Sequence, residues 1–323
     1  MGYADYFNLE REPFSNAPND KFYFNSEQHN QALLRLMYSV DSNKGLAVLV
    51  GGVGTGKTTL ARRMLDNLSV DKYESSLLVM IHSGITPEWI LSRIALQLGV
   101  KNPDSDPLKI LKQLYERLLQ IHSEGRKAVV LIDEAQMLQS RELMEEFRGL
   151  LNLEIPGKKL LNVIFFGLSD LEQTMKLDEP LAQRVAVKYT LKPLSAETTH
   201  SYIAHRLQVA GSEEVPFETT AIDRIHQYAG GVPRLINTIA DNAMFETFLR
   251  RDQIVSETIV DSVAVDLGLA QPLKKQPAAI EVFEAVGSVP VQSDEEAAVE
   301  GVEENGESDL EAIDSLLDGI QEN

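Results

Sequence analysis

Apolar residues along the chain follow two rhythms. Between Gly45 and Thr190, short uninterrupted apolar runs alternate with stretches whose apolar positions return every three or four residues. The runs are LAVLV (46–50), LLVMI (77–81), AVVLI (128–132), LNVIFF (161–166) and RVAVKYT (184–190). Helical spacing occupies 57–68, 87–98, 107–123, 140–152 and 170–177. Strands that are apolar without alternation are buried on both faces, and helices between them supply the crossovers of a parallel sheet. Residues 45–192 therefore predict one α/β domain, a parallel five-stranded sheet with helices on both faces.

After Pro193 the strand runs stop, and 195–210, 218–230, 233–250 and 256–266 all carry helical spacing. This predicts a small all-helical domain over 193–268, with Lys192-Pro193-Leu194 as a hinge. Ahead of the sheet, residues 1–44 hold an aromatic, proline-interrupted segment and then a helix. Ser26 caps that helix, and Leu33, Leu34, Met37 and Val40 form its apolar side. Residues 269–323 change to Pro, Ala, Val and Glu with little periodicity, which predicts an acidic, mostly disordered tail. Within it, Leu310, Ile313, Leu317 and Ile320 fall on one face at 307–320. Two readings of that stretch stay open: a solvated acidic end, or a short helix that folds into a partner's groove.

Charge alters the picture of partners. The net charge is −19, but residues 272–323 hold 14 Asp/Glu against two Lys, a net of −12, leaving −7 for the rest. An acidic body lacks the positive surface that displaces counterions from nucleic acid, so nucleic acid is a disfavoured partner. Basic pairs such as Arg62-Arg63, Lys158-Lys159 and Arg250-Arg251 read as solvated charge. There are no cysteines, which removes disulfides, thiolate metal sites and a cysteine nucleophile. No apolar run is long enough to span a bilayer, and the first residues lack the order of a signal peptide. The expected location is cytoplasmic, without direct membrane insertion.

Three groups of residues carry chemistry. The first is GGVGTGKTT (51–59), placed between a strand run and a helical stretch, which fits G-x-x-x-x-G-K-[ST]. Gly51, Gly52, Val53, Gly54, Thr55 and Gly56 would turn backbone N–H groups around phosphates at a helix N-terminus. Lys57 would reach the β- and γ-phosphates, Thr58 would ligate Mg²⁺, and Thr59 completes the loop, so ATP and Mg²⁺ are the expected ligands. The second is AVVLIDEAQ (128–136), which sets two carboxylates at the carboxyl edge of the sheet. Asp133 would hold Mg²⁺, and Glu134 would act as general base toward the attacking water. The third is a pair of arginines, Arg184 before the last strand and Arg234 in GGVPRLIN, each fit to stabilise charge on a transferring phosphoryl group. The six histidines lack metal-ligand spacing, and Trp89 and the N-terminal aromatics read as packing residues.

The P-loop, the DEAQ strand end, a later Gln-Arg pair and GGVPR in a helical second domain together resemble the AAA+ ATPases. More closely, the chain resembles the general secretion pathway protein A family, with relatives in mannose-sensitive pilus biogenesis and exosortase-linked export. Tyr6, Phe7, Leu9, Pro13, Phe14, Pro18, Phe24, Ser26, His29, Ala32, Leu33 and Tyr38 match that family's opening segment, and the likeness spans about residues 3–268. It implies that residues 1–44 belong to the AAA+ module and that 193–268 form its lid. It implies Arg184 as an arginine finger acting on a neighbour's ATP, Arg234 as sensor 2, and hence a homo-oligomer, a ring. It also places the N-terminal segment near adenine, with Tyr6 or Phe7 as stacking candidates. One departure stands out: where the family has Gly-Gln-Pro-Glu-Leu, this chain reads Gly167-Leu168-Ser169-Asp170-Leu171. Leu168 cannot orient a water, so slow hydrolysis is expected. Transmembrane and peptidoglycan-binding parts of some relatives have no counterpart here, so a wall-directed role is expected to need another protein.

The function expected from all this is an ATP hydrolase that drives or switches assembly of an envelope secretion, pilus or polysaccharide-export machine. That machine can itself be membrane-bound and would bring the protein to the inner membrane. Two alternatives remain open: a DNA-associated regulator resembling transposition ATPases, and a nucleotide-dependent scaffold with little hydrolysis.

Overall fold

The computed structural model describes residues 2–17 and 19–269. Pro18, the acidic tail and the apolar face at 307–320 lie outside the described residues. A one-turn helix, α1 (Tyr3–Tyr6), precedes an irregular segment of turns with a 3-10 turn at Asp20–Phe22, then α2 (Glu27–Asp41), whose N-cap Ser26 accepts from His29 N–H. Next come β1 (Leu46–Gly51), α3 (Lys57–Asn67), β2 (Tyr73–Val79), α4 (Pro87–Gln97), α5 (Pro107–Ser123) and β3 (Lys127–Asp133). They are followed by α6 (Arg141–Leu150), a short hairpin of β4 (Glu154–Ile155) and β5 (Lys158–Lys159), β6 (Leu161–Gly167), α7 (Leu171–Met175), α8 (Glu179–Ala182) and β7 (Val185–Leu191). Four helices close the described chain: α9 (Ala196–Val209), α10 (Thr219–Ala229), α11 (Pro233–Arg250) and α12 (Glu257–Asp266).

The five-stranded sheet runs β2-β3-β6-β1-β7, with every neighbour parallel. Both faces of its central strands are apolar because alternate residues feed two separate cores. Leu46, Val48 and Val50 join Val130, Ile132 and Phe165 beneath α4, α5 and α6. Ala47 and Leu49 join Leu131, Ile164 and Phe166 beneath α2 and α3. This is the packing expected of strands buried on both faces. The edge strand β2 starts at Tyr73, four residues before its apolar run, where it already pairs with β3 at Lys127, and the polar Glu74 in that stretch is ion-paired to Arg117 and Arg126. On α2 the buried positions are His29, Ala32, Leu36, Ser39 and Val40, while Leu34 is exposed. Trp89, expected to pack, is 45% exposed.

A third core joins α9–α12 to the start of the chain. Tyr3, Leu9, Phe14 and Phe22 are buried with Ile203, Ile225, Ile236 and Ile259. Phe14 meets Phe217 edge-on at 6.0 Å between ring centroids. Burial of one such side chain contributes about 1.5–3 kcal/mol, so these anchors tie the opening segment to helices some two hundred residues later.

Candidate nucleotide site

The loop after β1 is shaped by its glycines. Gly56 sits at φ +99°, where a side chain is strained, and a Cβ there would lie 2.9 Å from His29 Nε2. A Cβ on Gly54 (φ +76°) would lie 2.7 Å from Cβ of Arg234. His29, on α2, supports the loop from below. Its Nε2 is 3.1 Å from the Thr55 carbonyl and its Nδ1 2.6 Å from Ser26 Oγ. A carbonyl only accepts, so Nε2 carries the proton and the ring is the neutral tautomer that accepts from Ser26. Burial also lowers the His29 pKa, against the raising effect of the Thr55 carbonyl.

Lys57 opens α3 and is buried, 6% exposed. Its Nζ donates to the carbonyls of Gly51 (3.1 Å) and Gly52 (2.9 Å). Burial lowers its pKa, partly opposed by the carboxylates of Glu134 and Asp133. Thr58 Oγ1 donates to Asp133 Oδ2 at 2.6 Å, joining the loop to the end of β3. Asp133 is fully buried, its pKa raised by desolvation and lowered again by the Thr58 hydroxyl and the Glu134 N–H. Glu134 follows in the left-handed region (φ 55°), its N–H donating to Asp133 Oδ1 at 3.0 Å. A hydroxyl and a carboxylate already in contact form the hard-oxygen pair that Mg²⁺ takes, so this donor set fits the cation. The glycine turn ending at a helix N-terminus beside a buried lysine fits a polyphosphate.

A cavity of about 470 Å³ opens over this loop, within the range of small-ligand sites. Glu134, Leu168 and Arg234 line it, together with Asn16, Tyr23 and Phe24 of the opening segment. Arg234 arrives because Pro233 starts α11 and the Arg234 N–H donates to the Gly54 carbonyl at 3.3 Å. The opening segment is held there by Arg206, which donates to the carbonyls of Pro13 (2.6 Å) and Ser15 (2.9 Å) and to Tyr202 Oη (2.9 Å). Tyr202 passes the network to Asn237 (2.8 Å), and Asn237 to Asn16 (3.1 Å).

The structure thus brings Lys57, Thr58, Glu134 and Arg234 to one cavity with Val53, Gly54, Thr55, Gly56 and Thr59, while Asp133 lies buried behind it on Thr58 and the Gly51 and Gly52 carbonyls hold Lys57 from outside its lining. It does not bring Arg184 there: that guanidinium donates to the Arg148 carbonyl (3.1 Å) and to Asn152 Oδ1 (2.7 Å). Tyr6 and Phe7 are also elsewhere, with Tyr6 packed edge-on against Phe248. The aromatics of the opening segment at the cavity are Phe22, Tyr23 and Phe24, which the sequence marks as packing residues and not as ligand contacts. Arg206, Tyr202 and Asn237 were missed as well, since nothing local marks partners nearly two hundred residues apart.

Residues 40–175 match the AAA domain family. The chain is 38% identical over 251 residues to General secretion pathway protein A of Aeromonas hydrophila, a match covering 77% of this chain and 45% of that protein. It therefore spans about half the length of that curated relative. Among solved structures it is similar to the ORC2 protein of Aeropyrum pernix in ADPNP–ADP complexes, with TM-score 0.59, 17% identity, and coverage of 80% of this chain and 72% of that one. The ORC1 protein of Aeropyrum pernix in complex with DNA gives TM-score 0.60 at 19% identity, covering 80% and 69%. The Thermotoga maritima RuvB Holliday junction branch migration motor gives 0.50 at 16%, covering 76% and 70%. At such identities these likenesses establish the fold alone.

Proposed function

Since the chain belongs with the general secretion pathway protein A-like AAA ATPases, we propose that it binds ATP with Mg²⁺ and hydrolyses it within an oligomer to drive assembly of a bacterial envelope machine. The observation that carries the catalytic part is the Thr58–Asp133 contact, with Lys57 on one side and Glu134 on the other.

Each residue has a task in this reading. Lys57, now held by its own loop carbonyls, is the cation that would meet the β- and γ-phosphates. Thr58 and Asp133 would hold Mg²⁺, which supplies charge neutralisation on the phosphate oxygens. Glu134, first beyond the strand and facing the cavity, would take the proton of the attacking water. Arg234 would contact phosphate from the helical layer. Arg184, outside the cavity of its own chain, would act on a neighbour's nucleotide and so require an oligomer. Residues 193–268 would then work as a lid and residues 1–44 as part of the ATPase module.

The experiment is turnover per subunit against protein concentration, with and without duplex DNA, for wild type, Lys57→Ala and Glu134→Gln. A rate that climbs with concentration, ignores DNA and is lost in Arg184→Ala supports the shared site. ATP affinity retained by Lys57→Ala removes the site assignment. Strong stimulation by DNA removes the envelope reading in favour of a DNA-associated regulator. A second reading, a scaffold that binds ATP with little hydrolysis, is favoured by the apolar Leu168 side chain at the cavity; it requires Glu134→Gln to leave function intact.

A further inference from the structure

The Glu134 carboxylate has a dedicated partner. Gln136 Nε2 donates to Glu134 Oε2 at 2.5 Å, and Oε1 of the same amide accepts from the Leu168 backbone N–H at 3.0 Å. Chemistry alone sets the orientation of this amide. A backbone N–H only donates and a carboxylate only accepts, so the oxygen faces Leu168 and the nitrogen faces Glu134. The residue is buried, 7% exposed, and a Cβ on Gly167 would lie 3.0 Å from Gln136 Oε1. One amide fixed at both ends thus connects the residue after β3 to the tip of the neighbouring strand β6. The Glu134 backbone is itself constrained, in the left-handed region with its N–H on Asp133 and its carbonyl accepting from Met137 N–H at 2.9 Å.

We propose that Gln136 is the positioning residue for Glu134: its amide holds the carboxylate in register with the tip of β6. It thereby supplies the polar link that the Leu168 side chain cannot. The inference rests on the assignment of Glu134 as base. A charge-assisted hydrogen bond is about twice as strong as a neutral one, and here it acts on a group whose aim decides the proton transfer. Hydrolysis then does not need a polar side chain at position 168, because the polar contact there is the backbone N–H, read by Gln136.

Two variants separate the ends of the amide. Gln136→Leu keeps the approximate volume and removes both bonds; Gln136→Glu keeps an acceptor for Leu168 but turns a second carboxylate toward Glu134. In nucleotide-free protein, exchange of the Leu168 amide proton is expected to speed by about tenfold or more in Gln136→Leu and to change by less than about threefold in Gln136→Glu. Both variants should lose about tenfold or more in kcat while ATP affinity stays within about threefold. In a Glu134→Gln background, adding Gln136→Leu should leave the residual rate unchanged within about twofold, since the residue acts through Glu134. A Gln136→Leu enzyme with near wild-type kcat overturns the proposal. So does an equal loss in the Glu134→Gln background, or an unchanged Leu168 exchange rate. An inactive Glu134→Gln beside a normal Gln136→Leu removes this inference alone; a fully active Glu134→Gln removes the assignment of the base and the inference with it.

Discussion

Replacing Arg206 by Met tests how the opening segment is held against the helical layer. Arg206 is 6% exposed and its guanidinium makes three hydrogen bonds, to the Pro13 and Ser15 carbonyls and to Tyr202 Oη, with its central carbon 4.7 Å from the centroid of the Phe22 ring. Hydrogen bonds from a charged donor are worth about 1.5–3 kcal/mol each, so the three together amount to roughly 4.5–9 kcal/mol. Against this stands the relief of no longer burying a cation, which recovers several kcal/mol. The two carbonyls left without a donor return part of that relief as an unmet desolvation cost. A net loss of about 3 kcal/mol follows, which lowers Tm by roughly 6–12 °C in a domain of this size. Since Ser15, Asn16 and Ala17 line the cavity, the loosened segment should also weaken ATP binding by about tenfold. Denaturant unfolding and nucleotide titration measure the two effects. Arg206→Lys should recover less than half of either, because an ammonium cannot span both carbonyls. An Arg206→Met protein within about 0.5 kcal/mol of wild type would refute the reasoning, since that is the range of surface substitutions.

Three further outcomes follow from the same geometry. Gly56→Ala places a side chain at φ +99° and against His29, so it should cost about 1–2 kcal/mol and impair nucleotide binding, read by thermal unfolding with and without ATP. His29 has a lowered pKa through burial, so the unfolded chain binds its proton first; stability should be level above the unfolded value of about 6.5 and fall as pH drops below it. His29→Gln should flatten that slope in unfolding midpoints measured between pH 5 and pH 8. Phe14→Ala should destabilise by about 3–5 kcal/mol, because the ring is 1% exposed against Phe217; a smaller loss in denaturant unfolding would mean that the segment is not anchored there.

What was legible in the sequence was local or periodic. The GKT loop, the Asp133-Glu134 strand end and the five strand runs each lie within a dozen consecutive residues. Their physics is written in that short span: glycine for the turn, apolar runs for double burial, carboxylates where the strand stops. The start of β2 was not legible, because Glu74 is polar for reasons that lie on α5 and at Arg126. The apolar side of α2 was legible in part: Val40 is buried and Leu33 and Met37 pack against the core, but Leu34 faces out while Ala32 and Leu36 are buried. The aromatic segment announced packing without a partner, and Tyr6 and Phe7 were nearer the motif than the cavity. Gln136 was visible as a letter of DEAQ, yet its task depends on the Leu168 N–H at the end of the neighbouring strand.

The Arg234 N–H on the Gly54 carbonyl makes the first turn of α11 and the phosphate loop a single hydrogen-bonded junction. A shift of the loop on taking up phosphate that keeps this bond would move the start of α11 with it, and a displacement of α11 would likewise bear on the loop. Linkage makes this reciprocal: a protein that grips α9–α12 more tightly when nucleotide is present raises nucleotide affinity by the same factor. A coupling of about 1.4 kcal/mol across that junction is a tenfold effect in each direction. The helical layer would then serve as the protein's reporter of its own occupancy, and the affinity for ATP would be a property of the assembly rather than of the lone chain.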